Sequence, residues 1–157
     1  MNVETNLNHF QQSLPQTPQP LGAYVPAVQV GDLLFVSGML PMQNGVAQFV
    51  GRIGEDLTIE QGREAALLAA RNALAAARDA VGLNRLTGVV RLGVHMSCTP
   101  DFQKHAAVAD GASEWLNHVF KGQRHTRLVF GSHSLPAGVA VEIEIIFRIA
   151  TDEHLHI

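Results

Sequence analysis

Hydrophobic and polar residues alternate with two different periods along this chain, and the change of period separates predicted strands from predicted helices. Residues 23–38 predict a β-hairpin that turns at Gly31-Asp32, and a third short strand is predicted at 46–50, after the turn signal Gln43-Asn44-Gly45. Three further strands are predicted at residues 89–96, 127–132 and 139–149.

Two stretches show the spacing of three and four residues that is typical of an amphipathic helix. The first follows Thr58, which forms a capping box with Gln61, and is predicted to end at Gly82. The second is predicted to begin at Thr99-Pro100 and to end at Gly122. The element order is therefore β-β-β-α-β-α-β-β.

This order predicts an α/β (α+β) fold, a two-layer sandwich in which two helices cover one face of a six-stranded mixed sheet. In the last strand Glu142 lies opposite the apolar face. Leu128, Phe130 and Val90 are predicted for the core, which places Arg127 on the same uncovered face as Glu142. A sheet face without helices needs a partner, so a homo-oligomer is predicted.

The length of 157 residues is typical of one domain with a sizeable core. Residues 21–150 are predicted to form that domain. Residues 1–20, rich in Gln, Asn and Pro, are predicted as a flexible N-terminal arm or as a short helix at 4–13. Residues 151–157 are predicted as a C-terminal tail, and its His154-Leu155-His156 as solvated residues rather than a metal site.

Composition narrows the possible classes of protein. Hydrophobic residues make up 46% of the chain and charged residues 16%, which favours apolar surface buried between subunits. The net charge of -3 provides no general attraction for nucleic acid, and no nucleic-acid partner is expected. The single cysteine, Cys98, excludes an intrachain disulfide. No secretory signal or apolar membrane-spanning run is recognised, so a cytoplasmic location without a membrane partner is expected.

Several spaced residues together resemble the YjgF family, also called the RidA or reactive-intermediate deaminase family and formerly endoribonuclease L-PSP. They are Gly22-Ala23-Tyr24, Ser37-Gly38, Arg127, Leu135-Pro136 and Val141-Glu142-Ile143-Glu144. The resemblance covers roughly residues 22–149, and the stretch 99–126 is similar to a longer subgroup of the family. It implies a chorismate mutase-like fold and a homotrimer with clefts between its subunits.

In the deaminase members of that family, the matching residues would have distinct roles. The resemblance implies that Arg127 binds the substrate carboxylate and that Glu142 holds and activates the attacking water. Tyr24 and Ser37 would line the cleft, with the backbone of Val129, which replaces a common Cys. The implied reaction converts small 2-imino acids, of the 2-iminobutanoate/2-iminopropanoate type, to 2-keto acids and ammonia.

The residues themselves are compatible with this chemistry. An arginine meets a carboxylate with two hydrogen bonds, and a glutamate in a partly dry cleft can move protons. No metal or cofactor is expected, because an iminium carbon is already electrophilic. Two alternatives remain open. The first is a non-catalytic trimer that binds small carboxylates. The second is an endoribonuclease, for which the basic run Lys121, Arg124, His125 and Arg127 offers the best local RNA contact.

Overall fold

The computed structural model describes residues 3–150 of the chain. Its strands are β1 (Ala27–Val30), β2 (Leu33–Met39), β3 (Met42–Gln43), β4 (Val46–Ala47), β5 (Leu86–Ser97), β6 (Thr126–Ser132) and β7 (Val141–Ile149). Five of them form one mixed sheet in the order β1-β2-β7-β5-β6, in which only β5 and β6 are parallel. The predicted tail at 151–157 lies outside the described residues.

Two helices, α2 (Ile59–Val81) and α3 (His105–Val119), cover one face of this sheet and confirm the predicted two-layer α/β architecture. The core between the layers includes Leu74 of α2, Leu92 of β5 and Phe147 of β7, all fully buried. Alanines make up much of the buried face of α2, so this helix can lie close to the sheet. This packing leaves the opposite face of the sheet uncovered by helices.

The two predicted helix starts have different outcomes. Thr58 and Gln61 form the predicted capping box, with N···O distances of 3.2 and 2.9 Å. The predicted start of α3 at Thr99-Pro100 is wrong, because the Thr99 amide donates to the carbonyl of Ile53 at 3.1 Å and continues the strand pairing there. The helix begins only at His105.

The sheet has one strand fewer than predicted. β3 and β4 pair only with each other, and the predicted strand at 46–50 contributes just one bridge, between Val50 and Val139. Phe49 and Gly51 have φ angles of 54° and 124°, so the chain leaves the extended conformation on both sides of Val50. These two turns prevent residues 46–50 from pairing along the five-stranded sheet as a sixth strand.

A β-bulge in β5 reverses the predicted orientation of two valines. The pairing of β5 with β7 shifts register between Val89 and Arg91. Val89 is therefore 6% exposed and Val90 37% exposed, the opposite of the predicted arrangement. The extra residue changes the alternation of side chains locally, which a simple period of two cannot anticipate.

The N-terminal residues contain a helix, α1 (Val3–Gln11), which is the second of the two alternatives that the sequence left open. Asn6 donates through Nδ2 to the carbonyls of His118 and Val119 at 3.0 and 2.6 Å. Leu7 is fully buried in the core. Because the last carbonyls of a helix lack intrahelical i+4 donors, Asn6 supplies a donor to two carbonyls at the end of α3. The N-terminal arm is thus in contact with the domain.

Asn72 gives a test of how α2 holds the loop between β2 and β3. It is fully buried, and its Nδ2 donates to the carbonyls of Leu40 and Met42 at 2.9 and 3.0 Å. We expect Asn72→Ala to lower the free energy of unfolding by about 2–3 kcal/mol, because it removes two hydrogen bonds of a buried side chain and leaves a cavity beside the carbonyl of Met42. Urea denaturation measures this, with Asn84→Ala as an exposed control expected within about 0.5 kcal/mol of wild type. A loss from Asn72→Ala no larger than that of the control would contradict the role.

Candidate active site

An open pocket of about 480 Å³ lies where β2 and β7 meet the segment that precedes β1. Its polar lining includes Ser37 and Glu142, and its apolar lining includes Leu21, Leu40 and Pro136, with Tyr24 contributing both a ring and a hydroxyl. Three of the residues predicted for the site, Tyr24, Ser37 and Glu142, therefore come together here. Leu21, Leu40 and Pro136 were not among the predicted site residues.

The carboxylate of Glu142 lies close to the backbone of Gly38. A Cβ placed on Gly38 would collide with Oε1 of Glu142 and come within 3.1 Å of its Cδ. Only glycine leaves room for the Glu142 carboxylate in this position. This gives a physical reason for the Ser37-Gly38 pair that was noted in the sequence.

Burial gives Glu142 an unusual proton affinity. The residue is half-buried, and the loss of hydration raises the pKa of its carboxyl group above the ordinary value. The charge of His95, its register partner on β5, acts in the opposite direction, and Glu144 reinforces the rise. A carboxyl group with a raised pKa binds a proton more readily than an exposed glutamate does, which suits it to accept a proton and return it.

Two hydroxyl groups border the same pocket. Ser37 donates from Oγ to the carbonyl of Val25 at 2.7 Å, which fixes its side chain and leaves its lone pairs available to a ligand or water. Tyr24 accepts through Oη from the amide of Leu21 at 3.1 Å and keeps its own hydroxyl proton available. The pocket therefore combines one carboxylate with both a hydrogen-bond acceptor and a donor.

Arg127 is not part of this pocket, and its predicted placement on one face with Glu142 is wrong. Across the sheet, Arg127 lies in register with Leu92, which pairs in turn with Ile145, and both of these face the helices. Glu142 instead lies in register with His95, which also pairs with Phe130. Residues in register on neighbouring strands share a face, so Arg127 and Glu142 are on opposite faces of one chain.

The apolar character of β6 explains the error. Leu128 and Phe130 are 49% and 41% exposed on the uncovered face, although they were predicted for the core. Val129 shares the helix side of the edge strand with Arg127 and packs against the core. When both faces of a strand carry apolar residues, alternation separates the faces but does not identify the buried one.

Arg127 instead contacts α3. Its Nη1 donates to Oδ1 of Asp110 at 2.7 Å and to Oγ of Ser113 at 3.0 Å. Ser113 also contacts Nε2 of His125 at 3.0 Å. Burial, followed by the charges of Arg127 and Arg124, lowers the pKa of His125, so this imidazole favours the neutral form. Asp110 and Ser113 were not predicted, since no local signal links α3 to β6.

Among residues 3–150, no group of three or more His, Cys, Asp and Glu side chains is arranged to hold a metal ion. In the same described part of the chain, no helix is both long and apolar enough to cross a membrane.

The fold and the pocket define a class: a small two-layer α/β protein with a half-buried carboxylate at the uncovered face of its sheet. Residues 4–147 match the family described as "YjgF/chorismate mutase-like, putative endoribonuclease", and the chain belongs to this family.

Individual relatives agree with this membership. The chain is 34% identical to Protein TCP17 of Trypanosoma cruzi over 150 residues, which cover 94% of both chains. The crystal structure of Atu1372 from Agrobacterium tumefaciens is 33% identical, with a TM-score of 0.83, and the match covers 94% of this chain and 92% of that one. RidA from Psychrobacter is 25% identical, with a TM-score of 0.62 and coverages of 85% and 94%.

Proposed function

We propose that the protein is a hydrolytic deaminase that converts 2-imino acids to 2-keto acids and ammonia. The observation that carries the proposal is Glu142, a half-buried carboxyl group with a raised pKa, placed beside Ser37 and Tyr24 in a pocket with apolar sides. Membership of a family that includes a protein named RidA supports the same reading.

In this reaction Glu142 would accept a proton from the water that attacks C2 of the iminium group, forming a C–O bond. The tetrahedral carbinolamine that results loses its nitrogen when Glu142 returns the proton to it. The C–N bond then breaks as the hydroxyl oxygen forms the carbonyl, and the hydroxyl proton passes to the carboxylate of Glu142. That proton leaves with the ammonia as ammonium, so the iminium ion and one water give the keto acid and one ammonium ion. Ser37 and Tyr24, which line the same pocket, would orient the water and the substrate by hydrogen bonds.

The substrate carboxylate needs a cation, and Arg127 is our candidate. Since Arg127 and Glu142 lie on opposite faces of one chain, they can share a substrate only if Arg127 comes from a neighbouring subunit. The exposed apolar residues of the uncovered face, which include Val28, Phe35, Leu128 and Phe130, support an oligomer. We therefore propose a homotrimer in which β6 of one subunit meets the pocket of the next.

Subunit mixing tests this arrangement. Arg127→Ala and Glu142→Gln are purified separately, unfolded together in equal amounts and refolded, and native mass spectrometry verifies the mixed oligomers. We expect each variant alone to be almost inactive and the mixture to regain about one quarter of wild-type activity, because random assembly makes one interface in four intact. Mixed oligomers without recovered activity would contradict a shared site.

The double variant Arg127→Ala/Glu142→Gln provides the matched control. Mixed with an equal amount of wild type, it should leave about one quarter of the activity if sites are shared between subunits. It should leave about one half if each chain carries a complete site.

The endoribonuclease alternative has less support. Of the basic run, Arg127 is paired with Asp110, and His125 favours its neutral form. Lys121 and Arg124 remain exposed, which is a small basic surface for RNA.

A further inference from the structure

The segment of residues 18–21 reaches the pocket through Leu21, which was not among the predicted site residues. Leu21 lines the pocket and is 63% exposed. The hydrogen bond from its amide to Oη of Tyr24, at 3.1 Å, fixes Leu21 beside the ring that forms the neighbouring side.

A second, smaller cavity of about 30 Å³ adjoins the pocket beneath these residues. The two cavities share Leu21, Tyr24, Gly38 and Leu40 in their lining. The smaller one continues between Met39 and Met42, whereas Glu142 and Ser37 line only the larger one. The combined space therefore runs from a polar end at Glu142 to an apolar end under residues 18–21.

Hydrogen bonds to α2 hold the N-terminal segment in this place. Thr17 donates from Oγ1 to Oδ2 of Asp79 at 2.5 Å, and Arg71 donates to the carbonyl of Ser13. Burial opposes ionisation of Asp79, but hydrogen bonds from Arg78 and Thr17 together hold the pKa of its carboxyl group below the ordinary value. The carboxylate of Asp79 thus stays ionised at neutral pH, and its hydrogen bond with Thr17 is kept there.

We propose that this pocket selects 2-imino acids with a longer or branched hydrocarbon side chain, and that Leu21 is a specificity-determining residue. The inference rests on the proposed deaminase function and sharpens it, because the family resemblance implies substrates of the 2-iminopropanoate and 2-iminobutanoate type. Leu21, Tyr24 and Leu40 line the pocket together with Glu142, and the smaller cavity extends this apolar lining past Met39 and Met42. A longer or branched side chain on a substrate held at Glu142 would bury more apolar surface against this lining than a methyl or ethyl group.

The test compares two imines, produced in the assay from L-alanine and L-leucine by an amino-acid oxidase. For wild type we expect kcat/KM to favour the leucine-derived imine by about tenfold or more, since each buried methylene adds to discrimination. Leu21→Ala should reduce this preference to a few-fold by slowing hydrolysis of the larger substrate more than that of the smaller one. Val46→Ala removes a similarly exposed side chain outside the pocket and should leave the preference unchanged. No preference in wild type, or a preference that survives Leu21→Ala, would overturn the proposal.

A binding measurement separates failure of this inference from failure of the proposed function. If neither imine is hydrolysed faster than in the absence of protein, the deaminase function fails. Calorimetric titration with 2-oxo-4-methylpentanoate and with pyruvate then decides the question of selectivity. Tighter binding of the branched acid, weakened by Leu21→Ala, would support the apolar subsite, whereas equal binding of the two acids would refute it.

Discussion

Replacing Glu142 with glutamine is expected to lower kcat for imine hydrolysis by about 10²–10⁴-fold, the usual contribution of a positioned acid-base group. Glutamine keeps the shape of the side chain and its contact with Gly38, but it cannot take a proton from water. The rate is measured from the loss of an imine generated in the assay. A variant that retains more than about a tenth of the wild-type kcat would show that another group moves the proton.

The pH dependence provides a second measurement on the same residue. Hydrolysis needs the ionised carboxylate, and the pKa of Glu142 is raised by burial, so activity should fall as the pH drops through that raised pKa. Stability should follow the opposite course. The fold favours the protonated form, so ionisation of Glu142 costs stability as the pH rises through the raised pKa.

Glu142→Gln should therefore melt at a higher temperature than wild type at neutral pH. The difference should vanish in acid, below the ordinary pKa of a glutamate, where both proteins carry a neutral side chain. An inactive but more stable variant cannot owe its loss of activity to unfolding. Gly38→Ala is the matched geometric control, because it keeps the carboxylate but forces it away from its position, and it should also lose most activity.

Replacing Arg127 with alanine is expected to lower kcat/KM by about 10²–10³-fold, mainly through a higher KM, because the substrate carboxylate loses its charged partner. Arg127→Lys should recover only part of this, since a single ammonium group cannot make two parallel hydrogen bonds. Steady-state kinetics and the affinity for a 2-oxo acid are the measurements. An unchanged KM in Arg127→Ala would remove Arg127 from the site.

Replacing Asp110 with asparagine shows whether Arg127 binds the substrate or only stabilises the contact between α3 and β6. Asp110 is the acidic partner of Arg127, at 2.7 Å, and competes with a substrate carboxylate for the guanidinium. If Arg127 binds substrate, neutralising Asp110 should lower KM severalfold. If the pair only stabilises the contact between α3 and β6, Asp110→Asn should leave KM unchanged and reduce stability by about 1 kcal/mol or less, as for other partly exposed ion pairs.

Sequence patterns were most informative where one local interaction decides the conformation. The capping box of Thr58 and Gln61 marked the start of α2, and the alternation in β7 identified its buried face, because a single period was sufficient in each case. The errors arose where distant residues decide. The bulge at Val89 depends on pairing with β7, and the late start of α3 depends on the contact of Thr99 with Ile53.

For the candidate site, too, some features were identified from the sequence and others only from the structure. The chain by itself determined the two layers, the two helices that cover the sheet and the family resemblance, and through that resemblance it identified Tyr24, Ser37, Arg127 and Glu142 as residues with suitable chemistry. Only the tertiary structure decided that Arg127 faces α3 while Glu142 faces the pocket, and that Leu21 forms one side of it. The reason is physical: side-chain type and local periodicity are properties of the chain, whereas the choice between two apolar faces depends on which one the helices cover.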